Sequence, residues 1–291
     1  MKTLNFHVCL RIQLQRLRRG FLLGAAFCAG LAMAQQDPQN GADAEQSPVR
    51  PQISDSASLQ LIRNYLTVTG GREKHDRLNH VVATGTLTEA GKSKNFELIE
   101  TQDGKRHLTL SWRHLGRDYE ELTVFDGSST WKQKLKPKLG NPTSFSGQDS
   151  VHFANQRWLL QPFVLPAVAS FALKYQGNGR VAGRTCHVVV GFGKKNVRSW
   201  FYFDQEKFLL LRWGGLGDFA GVSEYKDYRA LAFKKVEGTL LPSAIDLIVD
   251  DKAYGRIDFD SIVANPGYDN GLFAKPIDRT PVLRQRRVES L

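Results

Sequence analysis

The chain has 291 residues, with 40 basic and 29 acidic side chains, a formal charge of +11 and 41% hydrophobic residues. Three cysteines are too few for a disulfide-held scaffold, so stability must come from an apolar core, which a chain of this length can build. The positive charge is modest and is not interleaved with aromatic residues along one stripe; this argues against nucleic acid and leaves an anionic membrane surface as the better complement.

Arg11, Arg16, Arg18 and Arg19 precede an apolar run from Gly20 to Met33, and Ala32-Met33-Ala34 offers small residues for cleavage ahead of Gln35. Residues 1–34 are therefore expected to be a cleaved signal peptide that addresses the chain to the secretory pathway. A retained anchor is the competing reading, although the run falls short of the about 20 apolar residues of a membrane span. Cleavage would leave 257 residues and would remove Lys2 with the four arginines, giving a mature charge of +6 and Cys186 as the remaining cysteine. Residues 35–55 are rich in Gln, Pro, Asp and Ser with little to bury, and are expected to be a disordered linker.

Structure is expected from Ser56, where Leu59, Ile62 and Leu66 recur at helical spacing until Gly70-Gly71 ends the helix. Another turn or two is expected over 72–79, then a strand from Val81 to Thr88. Hairpins follow: Phe96–Thr101 and His107–Trp112 flank Asp103-Gly104, and Tyr119–Phe125 and Thr130–Leu135 flank Asp126-Gly127. A second helix is expected from about Ser150 to Gln161. Strands then resume at Ala172 and run to Val263, with Gly191, Gly193 and 214–217 read as turn glycines. The sum is one α+β domain, mainly antiparallel, with about 10–11 strands and two helices. Residues 277–291, with Arg284, Arg286 and Arg287, are expected to form a basic flexible tail.

Several short motifs point to a known family. They are Thr69-Gly70-Gly71 closing the first helix, Phe125-Asp126-Gly127 with Trp131, Val181–Val188 (VAGRTCHV), Tyr202-Phe203-Asp204, and Leu272-Phe273 ahead of Pro276. In this order the chain resembles the periplasmic LolA/LolB-like carriers, most of all the outer-membrane lipoprotein-sorting-like group, over residues 56–276. The resemblance implies an incomplete, half-open β-barrel wrapped around an apolar cavity with helices as a lid. It also implies a periplasmic monomer that binds a lipid or lipoprotein acyl chain without cofactor, metal or catalysis.

Carrying an acyl chain through water requires enclosure, since each exposed CH₂ costs about 0.8 kcal/mol. The expected cavity and lid residues are Phe96, Leu98, Trp112, Trp158, Leu159, Phe163, Trp200, Tyr202 and Leu211, with Leu209 and Trp213 on the face of Leu211 by alternation. Plain core packing is the alternative for each of them. Lys132, Lys134, Lys136 and Lys138 alternate with Trp131, Gln133 and Leu135, so four ammonium groups are expected on one face. They either guard a sheet edge against aggregation or meet an anionic membrane surface or an envelope protein complex.

Catalytic signals are poor. No Gly-x-Ser-x-Gly elbow occurs, and His75 and His80 are expected on the surface without a third ligand. Cys186 and His187 are adjacent on a strand and so diverge, while Asp258 and Asp260 are expected on a polar outer face opposite Ile257 and Phe259. Two functions remain open: a non-enzymatic carrier of a hydrophobic ligand, and a protein-interaction module on the same fold.

Overall fold

The computed structural model describes residues 54–147, 150, 153–154, 157–164, 172–192, 198–216, 227–249 and 251–276. The expected leader, all but the last two residues of the linker, and the tail 277–291 lie outside the described residues, as do Gly193 and Gly217.

Helix α1 spans Ser56–Val68 and helix α2 Arg72–Arg77. Asp55 starts α1 by accepting from the Ser58 N–H at 2.7 Å, the cap chemistry that satisfies an otherwise orphaned donor. Its other oxygen accepts from the Tyr175 N–H at 2.7 Å, and Ser54 Oγ accepts from the Leu173 N–H at 3.0 Å. Ser54 and Asp55, expected in the linker, thus cover part of a sheet edge. Gly70 and Gly71 end α1 with φ of 128° and 90°, a region that suits glycine.

Among the described residues thirteen strands follow, more than the sequence pattern predicts. They are β1 (His80–Glu89), β2 (Lys92–Thr101), β3 (Arg106–His114), β4 (Arg117–Phe125), β5 (Thr130–Lys136), β6 (Thr143–Phe145) and β7 (Ala172–Val181). The remainder are β8 (Arg184–Phe192), β9 (Arg198–Asp204), β10 (Leu210–Leu216), β11 (Asp227–Val236), β12 (Thr239–Val249) and β13 (Lys252–Ala264). The added strand is β6, only three residues long and too short to show a pattern. All pairings are antiparallel, in the order β6-β5-β4-β3-β2-β1-β13-β12-β11-β10-β9-β8-β7. The chain therefore builds one half outward to β6, crosses to β7 and returns until β13 closes on β1. The strands β6 and β7 stay unpaired with each other, so this is an open half-barrel of the LolA-like kind, as the resemblance implies.

Gly191, Gly214 and Gly215 are strand residues, not turn glycines. At Gly214 a Cβ would lie 1.8 Å from Asp227 Oδ1 on the neighbouring strand, so close approach of β10 and β11 requires glycine there.

The main core lies on the inner face, where α1 contributes Leu61, Ile62, Tyr65 and Leu66 against Phe96, Leu98, Val189, Phe201, Phe203, Ile245 and Ile257. A second cluster on the outer face packs Ile99, Val124 and Trp131 under Phe273, whose carbonyl accepts from the Trp131 indole at 3.3 Å. The expected mid-chain helix does not continue as such. Ser150, Phe153 and Ala154 are helical, but Arg157–Leu160 is bent and a 3₁₀ turn covers Pro162–Val164. The reason lies in what these backbone amides bond to.

Candidate functional site

Strand alternation on β2 puts Phe96, Leu98 and Glu100 on the inner face together. Glu100 is completely buried. Its Oε1 accepts from the Trp158 N–H at 2.8 Å, and its Oε2 accepts from the Leu159 and Leu160 N–H groups at 3.0 Å each. One carboxylate thus takes three consecutive amides that a helix would have turned to its own carbonyls, which explains the bent backbone.

Two arginines share that carboxylate. Arg106 on β3, in register with Glu100, has Nε 3.5 Å from Oε1, and Arg157 has Nε 4.0 Å from Oε2. Both are buried, and burial lowers both guanidinium pKa values while the Glu100 charge opposes it. The Arg106 guanidinium lies 4.8 Å from the Phe153 ring and 4.7 Å from the Trp158 ring, and it donates to the Phe153 carbonyl at 3.3 Å. Arg157 donates to the Thr101 carbonyl, and its own carbonyl accepts from the Trp213 indole at 2.8 Å. The segment 157–164 is therefore an insert fastened to the sheet by one carboxylate, its two cations and the Trp213 indole.

The apolar side chains of the insert fill the inner face. Trp158, Leu159, Phe163 and Val164 are all buried in the main core. Trp158 meets Phe96 edge-on at 5.4 Å, and Phe163 meets Phe201 at 4.8 Å and Tyr65 at 5.5 Å. Beside the insert lies a cavity of about 20 Å³ lined by Tyr65, His75, Gln102, Arg157, Leu159 and Gln161, among others. That is room for about one water molecule, not for an acyl chain.

Of the residues the sequence pattern selects, Phe96, Leu98, Trp158, Leu159 and Phe163 come together in this core. Trp112 lies on the same face of β3, half-buried, away from the insert. Tyr202 and Leu211 do not join them. They pack with Val181, Cys186 and Leu209 in an outer cluster, and Trp200 shares the face of Tyr202 by alternation. The inner positions of β9 are Phe201 and Phe203 instead. A register shift between Leu210 and Arg212 also separates Leu211 from Trp213, which points into the core with Leu210; the expected alternation across Leu209, Leu211 and Trp213 fails at that bulge.

The lysines divide as well. Lys132 and Lys134 lie opposite Thr123 and Glu121 on the inner face, whereas Trp131 is buried on the outer one. Lys136 is bound to Glu120 at 2.7 Å, and Lys138 follows the end of β5, exposed. His75, expected at the surface, is buried: its Nε2 lies 2.8 Å from Thr69 Oγ1. That hydroxyl donates to the Tyr65 carbonyl at 2.7 Å, so His75 must supply the proton to it and carries hydrogen on Nε2. Burial pushes the His75 pKa down to about 4.

Glu100, Arg106 and Arg157 stand outside the residues that the sequence pattern selects. A signal was present, since Glu100 is in phase with Phe96 and Leu98, and Arg106 with Leu108 and Leu110. Ionisable residues at core-phase positions are rarely buried unless paired. Among the described residues no group of three His, Cys, Asp or Glu side chains could hold a metal ion, and no helix is long and apolar enough to cross a membrane.

No family model and no curated protein matches the chain. Solved structures match its fold. A putative outer membrane lipoprotein-sorting protein domain from Vibrio parahaemolyticus aligns with a TM-score of 0.50 at 9% identity, covering 75% of this chain and 97% of that one. A DUF1329 family protein from Desulfovibrio piger aligns with a TM-score of 0.44 at 15% identity over 74% and 96% of the two chains. A LolA superfamily protein from Nitrosomonas europaea gives 0.46 at 13% identity over 72% and 96%.

Proposed function

We propose that this chain is an exported, non-catalytic carrier that holds a hydrophobic or acylated ligand against the inner face of its open half-barrel. The segment 157–164 occupies the ligand's place when the protein is empty. The observation that carries this reading is the way the inner face is covered. Among the described residues it meets no second sheet, but a helix and a short insert whose backbone is held by the Glu100 carboxylate and the Trp213 indole. Such a cover can leave without unpairing any strand.

The magnitudes allow the exchange. Exposing Trp158, Leu159, Phe163 and Val164 costs about 1.5–3 kcal/mol per side chain. An acyl chain of about 14–16 carbons gains roughly 11–13 kcal/mol on leaving water at about 0.8 kcal/mol per CH₂. A ligand of that length can therefore replace the insert with little net change, which suits a carrier that must also release.

The test is uptake of a fluorescent fatty acyl probe by the protein freed of co-purified lipid, with Glu100→Gln as the comparison. This variant keeps the side-chain volume but removes the charge that fastens the insert. Stoichiometric uptake, faster in the variant, is the expected result. A second reading, an envelope protein-interaction module, is favoured by the small size of the cavity beside the insert. Failure of both proteins to take up the probe would replace the carrier with that module.

A further inference from the structure

Strand register extends the inner face past the insert into a row of different chemistry. Lys94 lies on the face of Phe96 and Leu98, one step beyond the Asn95–Ser111 pair, beside Trp112; Trp112 in turn is paired with Tyr119 on β4, and the row reaches Lys134 on β5. The Trp112 and Tyr119 rings stack at 5.5 Å with 10° between their planes. Lys94 Nζ lies 4.8 Å from the Trp112 ring, and Lys134 Nζ lies 5.8 Å from the Tyr119 ring. Lys132 Nζ stands 5.8 Å from the Phe145 ring on the edge strand.

These cations are placed but not neutralised. Among the described residues, no carboxylate pairs with Lys94, Lys132 or Lys134, whereas the neighbouring Lys136 and Arg113 are engaged by Glu120 and Asp118. Glu121, opposite Lys134 in register and exposed, forms no ion pair with it. Glu89 on β1 shares this face, opposite Lys92 in register; with these included, four ammonium groups against two carboxylates leave the patch positive. Ring contacts hold lysines in place without cancelling their charge. The row is half-buried at Lys94, Trp112 and Tyr119 and exposed at Lys132 and Lys134, and it runs directly into the apolar face through Phe96 and Leu110.

A positive aromatic shelf joined to an apolar floor is complementary to one kind of molecule, an amphiphile with an anionic headgroup. We infer that Lys94, Trp112, Tyr119, Lys132 and Lys134 form the headgroup site for a single anionic amphiphile whose acyl chain lies on the adjoining inner face. The inference rests on the carrier reading and narrows it to a ligand class. The rings order the lysines; the lysines choose the headgroup.

The experiment titrates the mature chain with lysophosphatidylglycerol and with lysophosphatidylcholine of equal chain length, below their micelle concentrations, following tryptophan fluorescence. The comparison protein carries Lys94→Gln, Lys132→Gln and Lys134→Gln, with single Lys134→Gln as the graded control and a thermal melt to establish folding. The wild type should prefer the anionic lipid by about tenfold, more at low salt. The triple variant should lose the preference, its affinity for the anionic lipid falling to its affinity for lysophosphatidylcholine. Equal affinity of the wild type for both lipids, or a preference that survives the triple change, would overturn the headgroup site and leave the carrier standing. No binding of either lipid would defeat the carrier reading itself. Glycerol phosphate displacing the lipid as well as an intact amphiphile does would make this a free-phosphate site instead. Binding to phosphatidylglycerol vesicles without uptake of the monomer would make it a membrane contact.

Discussion

The two ends of β2 carry charges on the same face and treat them in opposite ways. Glu100 is completely buried under the insert, with three backbone amides and two arginines around it, while Lys94, six residues away and in phase, is left half-exposed beside a stacked aromatic pair. The strand is continuous and the alternation does not break. What differs is the cover: a charge beneath the insert must be fully satisfied because desolvation is costly, whereas one beyond it remains available to an outside partner.

Removing the buried partner should give the largest effect. Glu100→Ala leaves Arg106 and Arg157 uncompensated and three amides without an acceptor, and is expected to cost about 3–5 kcal/mol in chemical denaturation. A loss below about 1 kcal/mol would mean that the insert is not fastened there. Trp158→Ala removes the ring between Arg106 and Phe259 and should cost about 3–5 kcal/mol. A double cycle of the two variants should show strong coupling, because the residues touch the same insert; additive losses would separate the carboxylate from the packing.

Next comes the pH dependence of His75. Its pKa falls from about 6.5 in the unfolded chain to about 4 when buried, so between these values the unfolded state binds the extra proton. Stability must therefore rise with pH across that window, and acidification from pH 6.5 to 4 should remove about 3 kcal/mol. His107, buried and also lowered, adds to the same slope, so the comparison of wild type with His75→Gln isolates the share of His75. An unchanged slope in the variant would contradict it. The smallest effect belongs to the exposed end. Lys132→Gln and Lys134→Gln should change stability by less than about 0.5 kcal/mol, even though the same substitutions are expected to alter ligand choice.

The hairpins and most strands were legible because β-branched and aromatic residues alternate between Asp-Gly turns, as at Asp103-Gly104 and Asp126-Gly127. The faces were less so. A single bulge between Leu210 and Arg212 exchanges inside for outside within β10, and the Trp200 and Tyr202 pair looks as apolar as the inner Phe201 and Phe203. The segment after Ser150 has helical composition, yet its amides are taken by a carboxylate about 60 residues earlier in the chain. No local pattern carries that contact. Of the buried triad, Glu100 and Arg106 were visible as charges at core-phase positions and Arg157 was not, and the lysine alternation was visible without the knowledge that the sheet turns Lys132 and Lys134 inward and a bulge separates Lys136 from them.

The most direct measurement is amide hydrogen exchange at Trp158, Leu159 and Leu160, with and without a bound acyl ligand. All three amides donate to the Glu100 carboxylate in the closed protein, so they should be strongly protected when it is empty. Ligand binding should remove this protection while leaving strand amides such as those of β12 unchanged. Protection that persists with a stoichiometric ligand bound would contradict the claim that the insert holds the ligand's place.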